Sequence, residues 1–431
     1  MTRALKLAEV ERIPILGTES IVCGFHLVDY IWTDIFSNLP AASTYVLITD
    51  TNLAKLYLSK YEEGFQVAWA HHSQASAAVA AAPRLLTHVL PPGELSKSRA
   101  TKSAIEDWMF SEKCTRDTMV LALGGGVIGD LVGYVAATFM RGVGFIQIPT
   151  SLLAMVDSSI GGKTAVDTPA GKNLVGSFWQ PKRIYMDMAV LSTLPPREFS
   201  NGMAEVVKTA AIWDAAEFDV LEASSVEVRR AVLSGTQDTD AGLTLATRSE
   251  EQKLLQRVIA ASARVKAYVV THDERESGMR GLLNFGHTIG HAIEAILSPQ
   301  VLHGECVAVG CVLEAEVARR MGHLSEVGVA RLVRCLRAYG LPTTMDDPLL
   351  RGLASSEQLA EVRPQRLMDI MGVDKKTVGT QKRLVVLKQL GATLELKPTN
   401  VSDALILEVL SAGVLVKPVV DDDSAATETV V

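Results

Sequence analysis

Three histidines fall within a short stretch of a chain that contains nine. His287 and His291 are four residues apart, so on a helix they project from one face. His303 follows in the sequence His303-Gly304-Glu305, where a helix is predicted to begin. Imidazoles at this spacing suit zinc, which takes neutral histidine and carboxylate ligands. The alternative is that they are core or surface histidines without a ligand role.

Glu205 interrupts an otherwise apolar helical stretch at residues 202–212. A carboxylate in such a position needs a partner, because burying an unpaired charge costs free energy. The sequence offers two partners, which are Lys208 one helical turn further on and a metal ion. Glu205 is therefore a candidate for an ion pair or for a metal ligand.

Cationic side chains are concentrated around these residues. Lys163 and Lys172 are predicted to lie in glycine-rich loops, and Lys208, Lys266 and Arg280 flank the histidine region. Such cations near a metal suit an anionic, oxygen-rich substrate such as a sugar phosphate or a carboxylate. For any single lysine, a solvated surface charge is the competing interpretation. That alternative is weaker for Lys163, whose neighbours are glycines and apolar residues.

A glycine-rich turn at residues 124–129 follows a predicted buried strand and precedes a helical pattern. Gly124, Gly126 and Gly129 fit the dinucleotide fingerprint, in which the backbone approaches a pyrophosphate at a helix N-terminus. The acid expected about 20 residues further on is missing, and the next acid is Asp157. Asp50, upstream, is an alternative partner for the ribose. A tight turn between a strand and a helix, without a nucleotide, is the other interpretation.

The elements that must position these residues change character near residue 195. Before it, strands predicted at residues 44–50, 65–70, 117–123 and 144–149 alternate with helical segments such as 96–113, and 74–83 is a predicted loop or insertion. This alternation predicts a mostly parallel α/β sheet. After it, helices are predicted at 197–213, 217–233, 250–270, 285–297, 305–321, 326–339 and 355–371, with a hairpin at 383–388 and 392–396.

The sequence therefore predicts an α/β, Rossmann-like nucleotide-binding domain at residues 1–195. A mainly helical, all-α C-terminal domain that binds metal and substrate is predicted at residues 196–415, and a disordered acidic tail at residues 416–431.

Composition excludes several classes of protein. With 431 residues, 48% hydrophobic and 21% charged, the chain is typical of a globular protein. A net charge of −7 argues against a nucleic-acid binder that relies on positive charge. No stretch is long and apolar enough to span a membrane, and no export signal precedes the first strand. Five cysteines without a CxxC pair indicate reduced thiols in the cytoplasm. The residues indicate an enzyme that uses a nucleotide and zinc on a small anionic substrate, and this combination suggests hydride transfer at a metal-bound alcohol.

Five long motifs resemble the 3-dehydroquinate synthases. They are LALGGGVIGDLVGYVAATFMRG at 121–142, IPTSLLAMVDSSIGGKTAVDTPAGKNLVGSFWQPK at 148–182, NGMAEVVKTA at 201–210, DERESGMRGLLNFGHTIGHAIEA at 273–295 and LHGECVAVG at 302–310. The resemblance runs from about residue 50 to residue 388. The sequences around residues 167–169 and 178–181 are most similar to the N-terminal domain of the fungal pentafunctional AROM polypeptides.

The resemblance implies a lyase of the shikimate pathway that requires NAD and Zn²⁺. The family converts 3-deoxy-D-arabino-heptulosonate 7-phosphate to 3-dehydroquinate and phosphate. The C5 alcohol is oxidised transiently, phosphate is eliminated, the ketone is reduced, and ring opening with an aldol closure forms the carbocycle. The resemblance also implies a homodimer, and it leaves open covalent joining to other domains of the pathway.

The resemblance also implies roles for residues of the metal and substrate sites. The zinc ligands would be Glu205, His287 and His303, so that only the first histidine of the pair binds the metal. His291 and Glu276 would be the proton acceptors. Arg280 and Lys163 would meet the substrate carboxylate, and Asn173, Asn284 and His291 its phosphate. The implied substrate-binding set is Arg141 (from the neighbouring subunit), Asp157, Lys163, Asn173, Lys266, Arg280, Asn284, His291, His303 and Lys375.

For NAD, the resemblance implies that Asp50 and Asn52 hold the adenosine ribose, which accounts for the acid missing after the glycine turn. Glu94 and Lys97 form a further contact pair. The complete implied set is Asp50, Asn52, Glu94, Lys97, Gly125, Gly126, Val127, Asp130, Thr150, Ser151, Lys172, Thr193 and Asn201.

Three other functions remain as alternatives. Sister sugar phosphate cyclases act on substrates without a carboxylate, and Arg280 with Asn284 and His291 favours the carboxylated substrate. A net oxidoreductase of the glycerol-dehydrogenase type would lack the Ser-Ser-Ile-Gly-Gly-Lys and Asn-Phe-Gly-His motifs. A non-catalytic module that binds NAD and zinc would not require the complete set of acids, bases and ligands.

Overall fold

The computed structural model describes residues 4–75, 81–234, 243–373 and 382–412. They form two compact units, of which unit 1 comprises Met1–Thr209 with Ala223–Arg280 and unit 2 comprises Ala210–Glu222 with Gly281–Val431. This division differs from the predicted boundary at residue 195. The helix Glu250–His272 lies after that boundary in the sequence, but it packs against the strand Glu11–Ile15 and therefore belongs to unit 1. The predicted tail at 416–431, Lys375 and residues 76–80 of the predicted loop at 74–83 lie outside the described residues, whereas residues 74 and 75 of that loop are helical.

Unit 1 is built on a seven-stranded sheet with the order β1-β2-β9-β6-β5-β3-β4. Only β1 is antiparallel to its neighbour, and the other strands are parallel. A separate antiparallel hairpin joins β7 and β8. The strands are β1 (Glu11–Ile15), β2 (Thr18–Gly24), β3 (Thr44–Asp50), β4 (Arg84–Leu90), β5 (Met119–Gly124), β6 (Gly144–Pro149), β7 (Lys163–Thr168), β8 (Gly171–Phe178) and β9 (Arg183–Asp187).

The central strands are apolar because both faces of the sheet are covered. All six residues of β5 are buried, as are nearly all of β3 and β6. Continuous apolar runs of this kind are expected of parallel strands between helical layers. The strands predicted at 44–50, 117–123 and 144–149 are confirmed. Parallel strands end together, so the polar residues that follow β3, β5 and β6 lie at one edge of the sheet.

The first five helices lie between strands, as expected of an α/β chain, and the next four follow one another without a strand. They are α1 (Val28–Asn38), α2 (Thr51–Leu53), α3 (Ser59–Ala75), α4 (Arg99–Ser111), α5 (Gly126–Thr138), α6 (Pro196–Trp213), α7 (Ala215–Ala223), α8 (Ser225–Ser234) and α9 (Glu250–His272). Helix α6 contains residues of both units, and α9 packs against β1 within unit 1. The N-terminus of α9 is closed by a capping box between Ser249 and Gln252.

Unit 2 is mainly helical, with α10 (His287–Leu297), α11 (His303–Arg320), α12 (Glu326–Ala338), α13 (Pro348–Leu353), α14 (Ser356–Glu361), α15 (Pro364–Val373) and α16 (Asp403–Ala412). It also contains β10 (Lys382–Leu384) paired with β13 (Thr399–Val401), and β11 (Leu387–Gln389) paired with β12 (Ala392–Thr393). The predicted hairpin is therefore present only as the short β11–β12 pair. The α/β and helical fold class is confirmed, with these small sheets added.

Several predicted elements were wrong, each for a local reason. Residues 65–70 belong to α3 and not to a strand, and Phe65 and Trp69, one helical turn apart, both pack on Phe36. The helix predicted at 217–233 breaks at Ser224, where Ser224 and Glu227 fit the pattern of a new N-terminus.

Two further predictions from the sequence were wrong. The helix predicted at 355–371 divides into α14 and α15 because Pro364 begins a new helix. Lys163 and Lys172 lie on the β7–β8 hairpin, not in loops.

The five cysteines are buried and free, as the sequence predicts. In the described ranges, no helix is both long and apolar enough to cross a membrane.

Candidate active site

The glycine turn of unit 1 connects β5 directly to α5. Strand β5 ends at Gly124, Gly125 is the N-cap, and α5 begins at Gly126. A Cβ at Gly124 would lie 2.5 Å from the Cβ of Ile128, and one at Gly129 would lie 2.7 Å from Oε1 of Gln147. Gly124 therefore excludes a side chain, whereas a side chain at Gly129 would require the end of Gln147 to move. The amides at the start of α5 suit an anion because the helix N-terminus carries partial positive charge.

Lys97 connects this turn to the β7–β8 hairpin. Its side chain is 5% exposed, and its Nζ donates to Oδ2 of Asp130 at 2.6 Å and to Oδ1 of Asn173 at 2.5 Å. Burial disfavours the charge of Lys97, but Asp130 outweighs this effect and raises the pKa of the lysine. Burial raises the pKa of Asp130 and also that of Glu94.

The remaining residues predicted to bind NAD also belong to unit 1. Asp50 ends β3 and caps α2, accepting hydrogen bonds from the backbone N–H groups of Asn52 and Leu53 at 2.8 and 3.0 Å. Thr150 follows β6, and its N–H donates to the carbonyl of Gly124 at 3.0 Å. The others are placed as follows: Ser151 beside Gly125, Val127 in the first turn of α5, Lys172 on β8, Thr193 against the Tyr57 hydroxyl, and Asn201 buried in α6.

Two further lysine–carboxylate pairs lie in unit 1. Lys208 donates to Glu205 on α6, so the ion pair that the sequence offered is present. Lys266 on α9 donates to the side chain of Asp157 and, at 2.5 Å, to its carbonyl. Burial lowers the pKa of Lys266. Burial also opposes ionisation of Asp157, but the lysine charge outweighs it and lowers the pKa of that carboxyl.

Residues 273–280 form a loop that Asp273 organises. The Asp273 carboxylate accepts hydrogen bonds from the N–H groups of Ser277, Gly278 and Arg280 at 2.7, 2.7 and 2.9 Å. Burial opposes its ionisation, but these donors prevail and lower the pKa of Asp273 to about 2. The loop presents Glu276, whose Oε2 accepts from Nζ of Lys163 at 2.5 Å.

Arg280 is buried at the end of the same loop. Its Nη2 donates to the carbonyl of Gly161 at 3.1 Å, and its Nη1 donates to the carbonyl of Glu274. A Cβ at Gly161, where φ is +108°, would lie 2.4 Å from Nη2, so the guanidinium requires glycine there. Burial lowers the pKa of Arg280. A buried guanidinium suits bidentate binding of a carboxylate.

The three histidines predicted from the sequence meet in unit 2. One ligand atom from each of His287, His291 and His303 lies within 4.8 Å of the others, so the described part of the chain holds a group able to bind a metal ion. Nδ1 of His287 is 3.1 Å from the carbonyl of Phe285, and Nδ1 of His303 is 2.9 Å from Oε2 of Glu294. With Nδ1 protonated towards these acceptors, each ring keeps Nε2 as a metal ligand.

A buried carboxylate fixes the start of the helix that carries His287 and His291. Glu314 on α11 accepts from the N–H groups of Gly286, Thr288 and Ile289 at 2.9, 3.1 and 3.4 Å. These amides begin α10, so Glu314 satisfies unpaired donors and complements the helix dipole. His287 is the first residue of the helix that this contact secures.

The structure brings many predicted residues together but not all of them. Asn284, a residue of unit 2, ends a short helical turn at Met279–Asn284, and Arg141 is exposed in unit 1. Glu205 belongs to unit 1, whereas the histidines belong to unit 2, so its role as a ligand stays a prediction.

Three carboxylates that organise the site were not predicted from the sequence, namely Asp273, Glu294 and Glu314. Glu294 could have been found from its position seven residues after His287, which places both on one face of a helix.

Two family models match consecutive parts of the chain. The model described as 3-dehydroquinate synthase N-terminal matches residues 87–201, and the one described as 3-dehydroquinate synthase C-terminal matches residues 202–377.

Fungal relatives are similar over nearly the whole chain. The pentafunctional AROM polypeptide of Malassezia globosa is 54% identical over 414 residues, which are 95% of this chain and 25% of that polypeptide. The one from Mycosarcoma maydis is 53% identical and covers 97% of this chain and 24% of its own length. The chain thus spans about a quarter of the curated relatives it matches.

Solved structures share the fold. A 2-deoxy-scyllo-inosose synthase, complexed with carbaglucose-6-phosphate, NAD⁺ and Co²⁺, aligns with a TM-score of 0.71 and 24% identity, covering 94% of this chain and all of the other. A 2-epi-5-epi-valiolone synthase from Streptomyces hygroscopicus, with NAD⁺ and Zn²⁺ bound, gives 0.68 and 24%, covering 95% and 98%. Glycerol dehydrogenase of Schizosaccharomyces pombe gives 0.57 and 16%, covering 94% and 91%. At these identities the likeness establishes the fold alone.

Proposed function

The chain belongs to the 3-dehydroquinate synthase family, and on this premise we propose that it converts 3-deoxy-D-arabino-heptulosonate 7-phosphate to 3-dehydroquinate and phosphate. The observation that carries the proposal is the buried guanidinium of Arg280, which lies at the end of the loop whose Glu276 pairs with Lys163. A buried arginine close to a second cation suits a substrate that carries both a carboxylate and a phosphate.

NAD and zinc are the proposed cofactors. The turn at Gly124–Gly126 carries no side chains and fits a dinucleotide, and His287, His291 and His303 lie close enough together to hold a metal ion. When bound, NAD supplies reversible oxidation of a substrate alcohol and zinc supplies a Lewis acid. We assign the metal to Glu205, His287 and His303, and the NAD contacts to the residues named above in unit 1.

The proposed protein groups divide the remaining work. Arg280 and Lys163 bind the substrate carboxylate and fix its orientation. Asn173, Asn284 and His291 bind the phosphate, which leaves in the reaction. Glu276 and His291 accept protons, and Oε2 of Glu276 accepts a hydrogen bond from the Lys163 ammonium.

The wider setting is also part of the proposal. Because the relatives are AROM polypeptides, we propose that the chain works joined to other domains of aromatic amino-acid biosynthesis in the cytoplasm. We further propose a homodimer in which the exposed Arg141 reaches the substrate phosphate of the neighbouring subunit.

A coupled turnover assay tests this function. The protein is mixed with the heptulosonate phosphate, NAD and zinc, phosphate release is followed, and the product is trapped with dehydroquinase. Equal amounts of phosphate and dehydroquinate are expected, without net NADH and with complete loss of activity in chelator.

Two other outcomes would contradict the proposal. Phosphate release only from a heptulose phosphate without a carboxylate would identify a sister cyclase. Stoichiometric NADH from a simple polyol would identify an oxidoreductase of the glycerol-dehydrogenase type.

A further inference from the structure

The buried ammonium group of Lys97 contacts two segments of unit 1. The proposed function assigns one of these segments to NAD and the other to the substrate phosphate. Nζ of Lys97 contacts Asp130, on the helix after the glycine turn, and Asn173, on the β7–β8 hairpin. Asp130 is assigned to NAD and Asn173 to the substrate phosphate. The inference rests on those two assignments.

The lysine determines which side of the Asn173 amide faces outward. Oδ1 of Asn173 accepts from Nζ of Lys97 at 2.5 Å, so the Nδ2 group, with its two donors, occupies the other side of the amide. Asn173 is exposed, whereas the Lys97 side chain is 5% exposed. A phosphate dianion requires donors, and this orientation supplies them.

The main chain connects the same two segments. The N–H of Asp167 on β7 donates to the carbonyl of Lys97 at 2.8 Å, and Ser98 forms a bridge with Asp167. The Asp167 carboxylate then accepts from the N–H of Asn173 at 2.9 Å, where the residue has a φ of +56°. Lys97 therefore holds Asn173 in two ways. Its side chain contacts the Asn173 amide directly, and its backbone carbonyl is connected to the Asn173 backbone through Asp167.

We propose that Lys97 couples NAD binding to phosphate binding. NAD that engages Asp130 holds the lysine in place, and the lysine holds the Asn173 amide with its donors outward. Ordering Lys97 and Asn173 costs conformational entropy. When NAD is already bound, that cost has been met before phosphate binds, so phosphate binds more tightly to the NAD-bound protein. By reciprocity, phosphate tightens NAD binding by the same factor.

Titration calorimetry with inorganic phosphate tests the coupling. The zinc-loaded protein is titrated without NAD and at saturating NAD, and the ratio of the two dissociation constants is the coupling factor. For the unaltered protein we expect a factor of about five to ten, within the range usual for coupled sites. Lys97→Met should bring it to within twofold of one, measured at NAD concentrations raised to compensate for weaker cofactor binding.

Two further variants serve as controls. Lys102→Met removes a similar ion pair, between Lys102 and Glu106 at 2.6 Å in the following helix, and should keep the coupling factor. Asn173→Asp removes the amide donors and retains Lys97. It should weaken phosphate binding at least tenfold in the NAD-bound protein while NAD affinity stays within twofold, and it remains informative if Lys97→Met does not fold.

Two results would overturn the proposal. One is a Lys97→Met protein that keeps the original coupling factor, and the other is an unaltered protein whose dissociation constant for phosphate is the same with and without NAD. The measurement involves binding alone and no turnover. A failure of the proposed function in the dehydroquinate assay is therefore distinguishable from a failure of the coupling.

Discussion

At the scale of single residues, the candidate metal site depends on which ring nitrogen each histidine presents. Contacts of Nδ1 with the carbonyl of Phe285 and the carboxylate of Glu294 fix His287 and His303. A carboxylate behind a ligating histidine orients the ring and raises its basicity. Glu294 therefore acts through His303 and is a positioning residue.

Changing Glu294 should weaken zinc binding without removing a ligand. Loss of such a partner typically costs about 10- to 100-fold in metal affinity, so we expect that range for Glu294→Ala. Glu294→Gln keeps an acceptor for His303 and should lose less. Competition with a chromogenic chelator measures the affinity, and the absorption spectrum of the cobalt-substituted protein reports ligand geometry. Unchanged affinity in both variants would contradict this role.

Arg280 should affect substrate binding far more than NAD binding. Arg280→Ala removes the proposed carboxylate ligand, so we expect the substrate KM to rise at least tenfold while the dissociation constant of NAD changes less than threefold. Arg275→Ala is a matched control, since both guanidinium carbons lie 5.8 Å from the centre of the Phe178 ring. Equal losses of both affinities would place Arg280 outside the substrate pocket.

At the scale of elements, a loop and a helix start are each held by a carboxylate that accepts hydrogen bonds from backbone N–H groups. Asp273 organises the loop that carries Glu276 and Arg280, and Glu314 secures the start of α10. Both provide acceptors for amides that helix and strand pairing leave unpaired. The loop and the helix start are therefore held in place by hydrogen bonds within the protein.

The Asp273 contacts should make stability depend on pH in acid. Its pKa falls from an ordinary value of 3.8 to about 2, so its stabilising contribution is complete above pH 3.8 and is lost as the pH falls towards 2. The difference in unfolding free energy between the unaltered protein and Asp273→Asn should therefore shrink across that interval. Urea unfolding at pH 5, 4, 3 and 2 measures it. A difference that stays constant with pH would contradict the role of the ionised carboxylate.

At the scale of the whole molecule, each unit has its own core and its own group of functional side chains. Unit 1 holds the glycine turn and the lysine–carboxylate pairs, and unit 2 holds the three histidines. A ligand that binds one folded unit stabilises that unit by mass action. NAD, whose proposed contacts all lie in unit 1, should therefore protect that unit.

NAD should stabilise unit 1 through the glycine turn. At a concentration 100 times its dissociation constant, we expect about 2.7 kcal/mol of added stability. Hydrogen exchange should show this protection at residues 119–138 and much less at residues 287–320. Gly126→Val would place carbon close to Ser158, whose Oγ is 3.0 Å from a Cβ at this position, and should abolish the effect. Protection that persists in this variant would exclude the turn as the NAD site.

The sequence by itself predicted the fold class, the glycine turn and the group of three histidines. Apolar runs such as β5 and β6 are typical of buried strands, and the spacing of Gly124, Gly126 and Gly129 predicts a tight turn between a strand and a helix. The four-residue spacing of His287 and His291 likewise placed two imidazoles on one face of a helix. These features are local, so residue type and spacing are sufficient to predict them.

Only the tertiary structure decided which distant residues meet. Lys97 and Asn173 are 76 residues apart, and Lys163 and Glu276 are 113 apart, and no periodicity relates such pairs. Residues 65–70 had strand-like composition but pack as a helix, because Phe65 and Trp69 both reach Phe36. Long-range packing and hydrogen bonding depend on how the whole chain folds back on itself, and a one-dimensional pattern of residue types does not contain that information.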